Sequence, residues 1–360
     1  MELDIYNFNI NNKRAQQVDL FINISSPNNI PGKRSPLNLC FALDISGSMT
    51  ENNRMEKLKS ALKKVLPLLT SDDYLSVVVY DDIAQVVLPS RKYNSEHDSV
   101  FLEIIDNIKI GGGTNMLAGM LKGYSELSKN YNRFWKNRLI LMSDGVSTTG
   151  EKNPDKITEY ATVNNAKGFE TSTIGLGGNI NFELLYNIAI EGRGNSHFIG
   201  DCESSDIEQS LIEELTSLNQ GLDNMFIEIE YPKHLKLANI HGASKATDNK
   251  NLVIYFSSLI KQEQYTLVSF ITNKKRNKPI LVTLNYKEEG VNKQMSRQIS
   301  CFNDSSPSSQ MVLIKQLIET LNCIKTNLFF DKKDKLNDCF NGVDMNAMPQ
   351  RLVEMISLSN

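Results

Sequence analysis

Two aspartates follow apolar runs in a way that can bring both carboxylates to one edge of a sheet. Asp44 ends an apolar run at 38–43, and Asp144 closely follows a second run at 139–142. Neither run alternates with polar residues, so each predicts a strand buried on both faces. If the two strands lie side by side and parallel, both aspartates emerge at the carboxyl edge, where open α/β sheets bind ligands.

Hydroxyl side chains accompany the two aspartates. Ser46 and Ser48 come directly after Asp44 and are separated by Gly47, so a tight turn can point both hydroxyls to one side. Thr114 follows three consecutive glycines, which let its backbone approach another segment closely. Carboxylate and hydroxyl oxygens are hard donors that suit Mg²⁺ or Mn²⁺ better than zinc. The predicted divalent-cation site has five candidate ligands: Asp44, Ser46, Ser48, Thr114 and Asp144.

These motifs resemble the von Willebrand factor A domain. The resemblance rests on Asp-x-Ser-Gly-Ser at 44–48, on the threonine of Gly-Gly-Gly-Thr-Asn at 111–115, and on Asp-Gly at 144–145, in this order. It covers about half of the chain, residues 37–220. In this family the corresponding positions form the metal-ion-dependent adhesion site, abbreviated MIDAS.

The resemblance also implies roles for the five residues. Ser46 and Ser48 would bind the ion directly, Thr114 directly or through water, and Asp44 and Asp144 largely through water. Because few carboxylates would touch the ion, it keeps much of its positive charge and leaves at least one ligand position open. A Glu or Asp side chain of a protein partner is expected to fill that position.

Other functions are consistent with parts of the pattern. A Mg²⁺-dependent hydrolase of the haloacid dehalogenase-like type also places an aspartate after a first buried strand. It needs a second aspartate two residues later as general acid, and here Ser46 occupies that position. A structural subunit with a vestigial site would bind no metal. Taken singly, Asp44 and Thr114 can be helix N-caps and Asp144 a turn residue. The ordered set favours a non-enzymatic, metal-dependent protein-binding module.

Composition and charge limit the kinds of partner and compartment. The 360 residues include 39 Lys and Arg against 42 Asp and Glu, a formal net charge of −3. A nucleic-acid-binding face usually leaves a basic excess, so nucleic acid is not expected as a partner. No apolar run approaches the ~20 residues that span a bilayer, and no signal peptide is recognisable. The five scattered cysteines favour a reduced, cytoplasmic location.

Strand and helix patterns alternate between residues 37 and 220. This predicts a doubly wound α/β fold with a mostly parallel, Rossmann-like sheet. A strand at 84–88 follows the strand at 74–80 after a short turn, which is too short for a parallel crossover. We therefore expect 84–88 to be an antiparallel edge strand. Asp81 and Asp82 are interpreted as solvated residues of that turn and receive no functional role.

The pattern changes after the α/β segment. Residues 221–304 contain strand patterns without helices and predict an all-β sandwich domain. Residues 1–36 contain two further strand patterns and are expected to join that sandwich, which makes the α/β domain an insertion. Residues 305–360 are predicted to form a C-terminal helical segment.

Overall fold

The computed structural model describes most of the chain up to residue 301. The predicted helical segment at 305–360 lies outside the described residues. The described residues are 1–11, 16–26, 35–95, 98–144, 147–177, 180–200, 204–218, 222–241, 244–247, 251–256, 263–274, 276–288 and 291–301.

A six-stranded sheet forms the centre of the α/β part. Its strands are β3 (Leu37–Asp44), β4 (Tyr74–Tyr80), β5 (Ala84–Lys92), β6 (Lys136–Ser143), β7 (Glu170–Leu176) and β8 (Arg193–Ile199). Their order across the sheet is β5-β4-β3-β6-β7-β8. Neighbouring strands run parallel except for β4 and β5. The mostly parallel sheet and its antiparallel edge strand are therefore confirmed.

Helices cover both faces of this sheet. They are α1 (Arg54–Val65), α2 (Asp98–Asp106), α3 (Met116–Ser128), α4 (Pro154–Asn165), α5 (Phe182–Glu191) and α6 (Ser204–Leu218). Residues of α1, α2 and α6 share a hydrophobic cluster with Leu39, Phe41 and Leu43 of β3. On the other face, α3, α4 and α5 pack with Cys40 and Ala42. Both faces of β3 are thus buried, which explains why its sequence shows no polar alternation.

The close packing of α3 on the sheet depends on Gly119. A Cβ atom at this position would lie 2.4 Å from Cδ1 of Tyr80, a ring that is fully buried. We expect Gly119→Ala to lower the free energy of unfolding by about 1–3 kcal/mol through overpacking. An exposed helical glycine would instead gain about 1 kcal/mol from the same change.

Urea unfolding of Gly119→Ala checks this prediction. The control is Lys122→Ala, which changes an exposed position of the same helix and is expected to have little effect. A stabilised Gly119→Ala variant would contradict the packing argument.

Two further sheets are formed by strands outside the α/β part. These strands are β1 (Glu2–Asn11), β2 (Gln16–Ser25), β9 (Leu222–Glu230), β10 (Lys236–His241), β11 (Ser244–Thr247), β12 (Leu252–Tyr255), β13 (Glu263–Thr272), β14 (Pro279–Glu288) and β15 (Val291–Ser300). The sheet orders are β1-β2-β13-β10 and β11-β12-β9-β14-β15. The sequence pattern did not predict β11.

One hydrophobic cluster contains residues of both smaller sheets. Leu20 and Ile22 of β2 belong to it together with Ile227 of β9 and Val282 of β14. Because β2 pairs antiparallel with β13, the chain leaves this sheet, forms the α/β part and then returns. The division of the chain into separate domains stays a prediction.

Candidate metal centre

The two candidate aspartates lie at the carboxyl edge of adjacent strands. β3 and β6 are parallel neighbours, and Leu43 pairs with Met142 in their register. Asp44 is the last residue of β3, and Asp144 directly follows β6. Their exposed fractions are only 0% and 3%. Two carboxylates that are this deeply buried need hydrogen bonds, a positive charge or both.

Hydroxyl groups connect the two carboxylates. The Ser46 Oγ lies 3.1 Å from the Ser48 Oγ, and the Ser48 Oγ donates to Asp144 Oδ1 at 2.8 Å. Asp44 Oδ1 accepts from the Ser46 amide at 2.9 Å, and its Oδ2 accepts from the Ser143 hydroxyl at 2.7 Å. The structure therefore brings Asp44, Ser46, Ser48 and Asp144 together. Ser143 is an additional member of the group that the motif did not identify.

The serine hydroxyls of the segment after β3 do not cap a helix. Ser46 precedes a 3₁₀ segment, Gly47–Asn53, yet its side chain makes no capping hydrogen bond. The N-cap of α1 is Asn53 rather than Asp44. The alternative in which this motif merely caps a helix is therefore not what the structure shows.

Thr114 is anchored by its backbone to the loop after Asp144. Its amide donates to Thr148 Oγ1 at 2.8 Å. Its carbonyl oxygen accepts from the amides of Thr148 and Thr149 at 2.9 and 3.1 Å and from the Ser147 hydroxyl at 3.2 Å. The N-cap of α3 is Asn115, whose side chain accepts from the Ala118 amide. Thr114 is thus a buried residue whose backbone is bonded to residues 147–149, and it is not the helix cap.

Arg54 contacts the centre from the first turn of α1. Its Nη1 lies 3.1 Å from Asp144 Oδ2 and 3.1 Å from Glu51 Oε2. Gly177, with φ of +99°, makes room for it, since a Cβ there would lie 2.5 Å from the Arg54 Cζ. Arg54 is not among the residues predicted from the sequence, because no local pattern signals this contact.

Burial dominates the electrostatics of the two carboxylates. It raises the pKa of Asp44 from 3.8 to about 6, against hydrogen bonds from Ser46 and Ser143 that lower it, and the nearby Asp144 raises it further. Burial also raises the pKa of Asp144, opposed by hydrogen bonds from Ser48 and Arg54. A nearby cation favours the ionised form of both groups.

The residues present fit a hard divalent cation. The groups that converge are carboxylate and hydroxyl oxygens, without sulfur or imidazole nitrogen. Within the described ranges, no three His, Cys, Asp or Glu side chains come close enough to hold a metal ion by themselves. Such a donor set suits Mg²⁺ or Mn²⁺ and differs from a typical zinc site.

Asp81 and Asp82 do more than the sequence pattern predicts. Asp82 is exposed, as expected for a turn. The carboxylates of both residues nevertheless accept hydrogen bonds from the amides of Gly112 and Gly113, next to Thr114. The turn position is therefore confirmed, and the hydrogen bonds to the glycine amides are contacts that the sequence pattern did not predict.

Comparison with known proteins identifies the α/β part. The family model for the von Willebrand factor type A domain matches residues 38–214. Residues 38–214 are a von Willebrand factor type A domain. Domains of this family are commonly metal-dependent modules for protein interaction. The predicted family is thereby confirmed for residues 38–214, and the metal-binding role of the motifs stays a prediction.

Proteins similar to this chain come from very different organisms and differ in length. Inter-alpha-trypsin inhibitor heavy chain H3 of Bos taurus is 29% identical over 247 residues, which cover 64% of this chain and 26% of that protein. The protein YfbK of Escherichia coli strain K12 is 31% identical over 163 residues, 45% of this chain and 28% of its own. The chain therefore matches only about a quarter of the length of these relatives.

The fold likeness extends beyond the type A domain. A solved structure described as von Willebrand factor type A from Catenulispora acidiphila superposes with a TM-score of 0.69. The match covers 94% of this chain and 86% of that one at 14% identity, so it concerns the fold alone. None of the helices in the described part of the chain is long and apolar enough to cross a membrane.

Proposed function

We propose that the type A domain is a divalent-cation-dependent protein-binding module without catalytic activity. The proposed cation is Mg²⁺ or Mn²⁺, and the proposed partner is a protein that supplies a Glu or Asp side chain. The chain of contacts that joins two buried carboxylates through Ser46 and Ser48 is the observation that carries this proposal. The proposed metal ligands are Asp44, Ser46, Ser48, Thr114 and Asp144.

Hydrogen bonds within the protein hold both carboxylates in the absence of a partner. Ser143 and the Ser46 amide hold the Asp44 carboxylate, while Ser48 and Arg54 hold that of Asp144. When bound, Mg²⁺ or Mn²⁺ supplies a positive centre with a ligand position for a carboxylate. The two charges of the cation would balance those of the two carboxylates. The Arg54 guanidinium adds one positive charge beside Asp144, and Glu51 offsets it in part, since it lies 3.1 Å from the same guanidinium nitrogen.

The residue types argue for binding rather than hydrolysis. In a haloacid dehalogenase-like hydrolase, the second residue after the first aspartate has to exchange a proton with the leaving group. Here that residue is Ser46, whose hydroxyl contacts Ser48. A serine hydroxyl is a poor general acid, so the arrangement supports a binding module.

A cytoplasmic location stays a prediction, supported by the free thiols of Cys40 and Cys301.

Calorimetric titration of MnCl₂ and MgCl₂ into metal-free protein tests the proposal. We expect one site in the wild type and an affinity about 10- to 100-fold weaker in Asp144→Asn. Asp155→Asn is the control, since Asp155 is exposed in the first turn of α4. The titration is repeated with excess acetate as a substitute for the partner's carboxylate. If the wild type binds neither cation with or without acetate, the site is vestigial and the proposed function is wrong.

A further inference from the structure

The turn between β4 and β5 contacts the three glycines that precede Thr114, called the glycine loop below (Gly111–Gly113). The Gly112 amide donates to Asp81 Oδ2 at 3.3 Å, and the Gly113 amide donates to Asp82 Oδ2 at 3.2 Å. We propose that Asp81 and Asp82 are positioning residues that hold the glycine loop, and with it Thr114, at the metal centre. The expected effect on metal binding rests on the proposed function.

The same turn also holds the residue after Thr114. The Asn115 amide donates to the Asp81 carbonyl oxygen at 2.6 Å, and Asn115 Nδ2 donates to the Asp82 carbonyl oxygen at 3.2 Å. The turn itself is braced, because the Ile83 amide donates to Asp81 Oδ1 at 3.0 Å. Thr114 is therefore fixed on both sides of its position in the chain by one turn of the neighbouring strand pair.

The three glycines leave room for the carboxylates of Asp81 and Asp82. A Cβ on Gly111 would lie 2.0 Å from Asp81 Oδ2, and a Cβ on Gly112 would lie 2.4 Å from Asp82 Oδ2. A Cβ on Gly113 would lie 2.6 Å from Asp82 Oδ1. None of the three glycines has a φ in the left-handed region. The absence of a side chain here gives space to the two carboxylates and is not needed for an unusual backbone conformation.

The glycine loop is also hydrogen-bonded to residues 45–47, in the turn that contains Ser46 and Ser48. The Gly111 amide donates to the Ile45 carbonyl oxygen at 2.6 Å, and the Gly47 amide donates to the Gly112 carbonyl oxygen at 3.0 Å. Gly47 separates Ser46 from Ser48. A displaced glycine loop would therefore move Thr114 and also remove a hydrogen bond from the turn that presents both serine hydroxyls.

Amide hydrogen exchange of the metal-free full chain tests the positioning itself. Asp81→Ala removes the acceptor of the Gly112 amide and Asp82→Ala that of the Gly113 amide, so we expect exchange of that amide to rise about tenfold or more. The Thr114 and Asn115 amides keep their acceptors, and faster exchange there would report displacement of the loop. Asp82→Asn keeps an oxygen that can accept from Gly113 and is expected to exchange nearly as slowly as the wild type. Asp81→Asn keeps one oxygen for the Ile83 and Gly112 amides together, so an intermediate rate is expected. Asp4→Ala, at an exposed position of β1, is the control. Unchanged exchange in both alanine variants would overturn the inference, whether or not the protein binds a metal.

Mn²⁺ titration of the same variants tests the consequence for the centre. Positioning predicts about tenfold weaker binding in the alanine variants, recovery in Asp82→Asn and partial recovery in Asp81→Asn. A purely electrostatic effect would weaken the asparagine and alanine variants equally, and this outcome would overturn the inference. If the wild type binds no Mn²⁺, the proposed function fails, and the exchange measurement alone decides whether the two aspartates position the loop.

Gly112→Ala provides a test that leaves the charge unchanged. Its Cβ would displace the Asp82 carboxylate, so we expect this variant to reproduce the fast exchange and weak Mn²⁺ binding of Asp82→Ala. Asp82→Gly removes the atom that clashes. Adding Gly112→Ala to Asp82→Gly is therefore expected to cause no further increase in exchange and no further loss of Mn²⁺ affinity. Additive effects of the two substitutions would count against the proposed contact.

Discussion

Asp44→Asn is expected to weaken Mg²⁺ and Mn²⁺ binding about 10- to 100-fold and, at the same time, to stabilise the metal-free protein. The carboxylate belongs to the proposed ligand set, and an amide carries no charge to hold a cation. In the metal-free variant, the asparagine side chain can make the same two hydrogen bonds as the Asp44 carboxylate. Its oxygen can accept from the Ser46 amide, and its NH₂ group can donate to the Ser143 oxygen once that hydroxyl rotates.

The sign of the stability change follows from the pKa of Asp44. Burial raises this pKa from 3.8 to about 6 in the folded protein. The folded state therefore binds more protons than the unfolded state between these values, and stability falls as the pH rises from 3.8 to about 6. At neutral pH the ionised carboxylate costs about 3 kcal/mol. We expect the asparagine variant to recover about 1–3 kcal/mol of this at pH 7.5 and much less near pH 4.

Urea unfolding of the metal-free wild type and variant at the two pH values measures this effect, and calorimetry measures cation binding. Asp155→Asn serves again as the control for loss of an exposed carboxylate. An Asp44→Asn variant that is less stable than the wild type at pH 7.5 would show that the buried carboxylate is not a cost. Cation binding as tight as in the wild type would remove Asp44 from the ligand set.

Glu214→Gln is expected to destabilise the type A domain by about 3–5 kcal/mol. Glu214 of α6 and Arg138 of β6 are both fully buried, and the Arg138 Nη1 lies 3.0 Å from Glu214 Oε1. The other carboxylate oxygen, Oε2, accepts from Asn195 Nδ2 at 2.7 Å and lies 3.2 Å from His197 Nε2. Removing the carboxylate charge leaves a buried guanidinium whose remaining acidic partner, among the described residues, is the partly exposed Glu170.

The ion pair of Glu214 and Arg138 makes the free energy of unfolding depend on pH in the acidic range. Burial raises the pKa of Glu214, but the charges of Arg138 and His197 outweigh it and hold the pKa at about 2 instead of 4.5. The unfolded state therefore binds the proton first as the pH falls. The contribution of Glu214 is complete above pH 4.5 and is lost as the pH falls towards 2.

Denaturant unfolding at pH 7 and at low pH checks this prediction. Glu208→Gln is the matched control on the same helix, because Glu208 pairs with Lys64 at the surface and such pairs contribute less than about 1 kcal/mol. A Glu214→Gln variant within 1 kcal/mol of the wild type would show that the buried charge pair does not stabilise the fold.

Local patterns in the sequence were sufficient to predict the central architecture. The uninterrupted apolar runs before Asp44 and Asp144 predicted two strands buried on both faces, which β3 and β6 confirm. The short Asp81–Asp82 turn predicted an antiparallel edge strand, which β5 confirms. These features follow from composition and spacing within a few residues, because burial on one or both faces leaves a periodic pattern in the chain.

Only the tertiary structure decided which polar side chains meet. Arg54 and Asp144 are 90 residues apart, Arg138 and Glu214 are 76 apart, and Asp81 and Gly112 are 31 apart. Each pair joins loops or elements whose mutual position depends on strand order and helix packing. A hydrogen bond needs a particular distance and direction, and periodicity carries no information about either. The sequence by itself therefore predicted the edge at which Asp44 and Asp144 meet. The fold determined that Arg54 and Ser143 contact these carboxylates and that Asp81 and Asp82 contact the glycine loop.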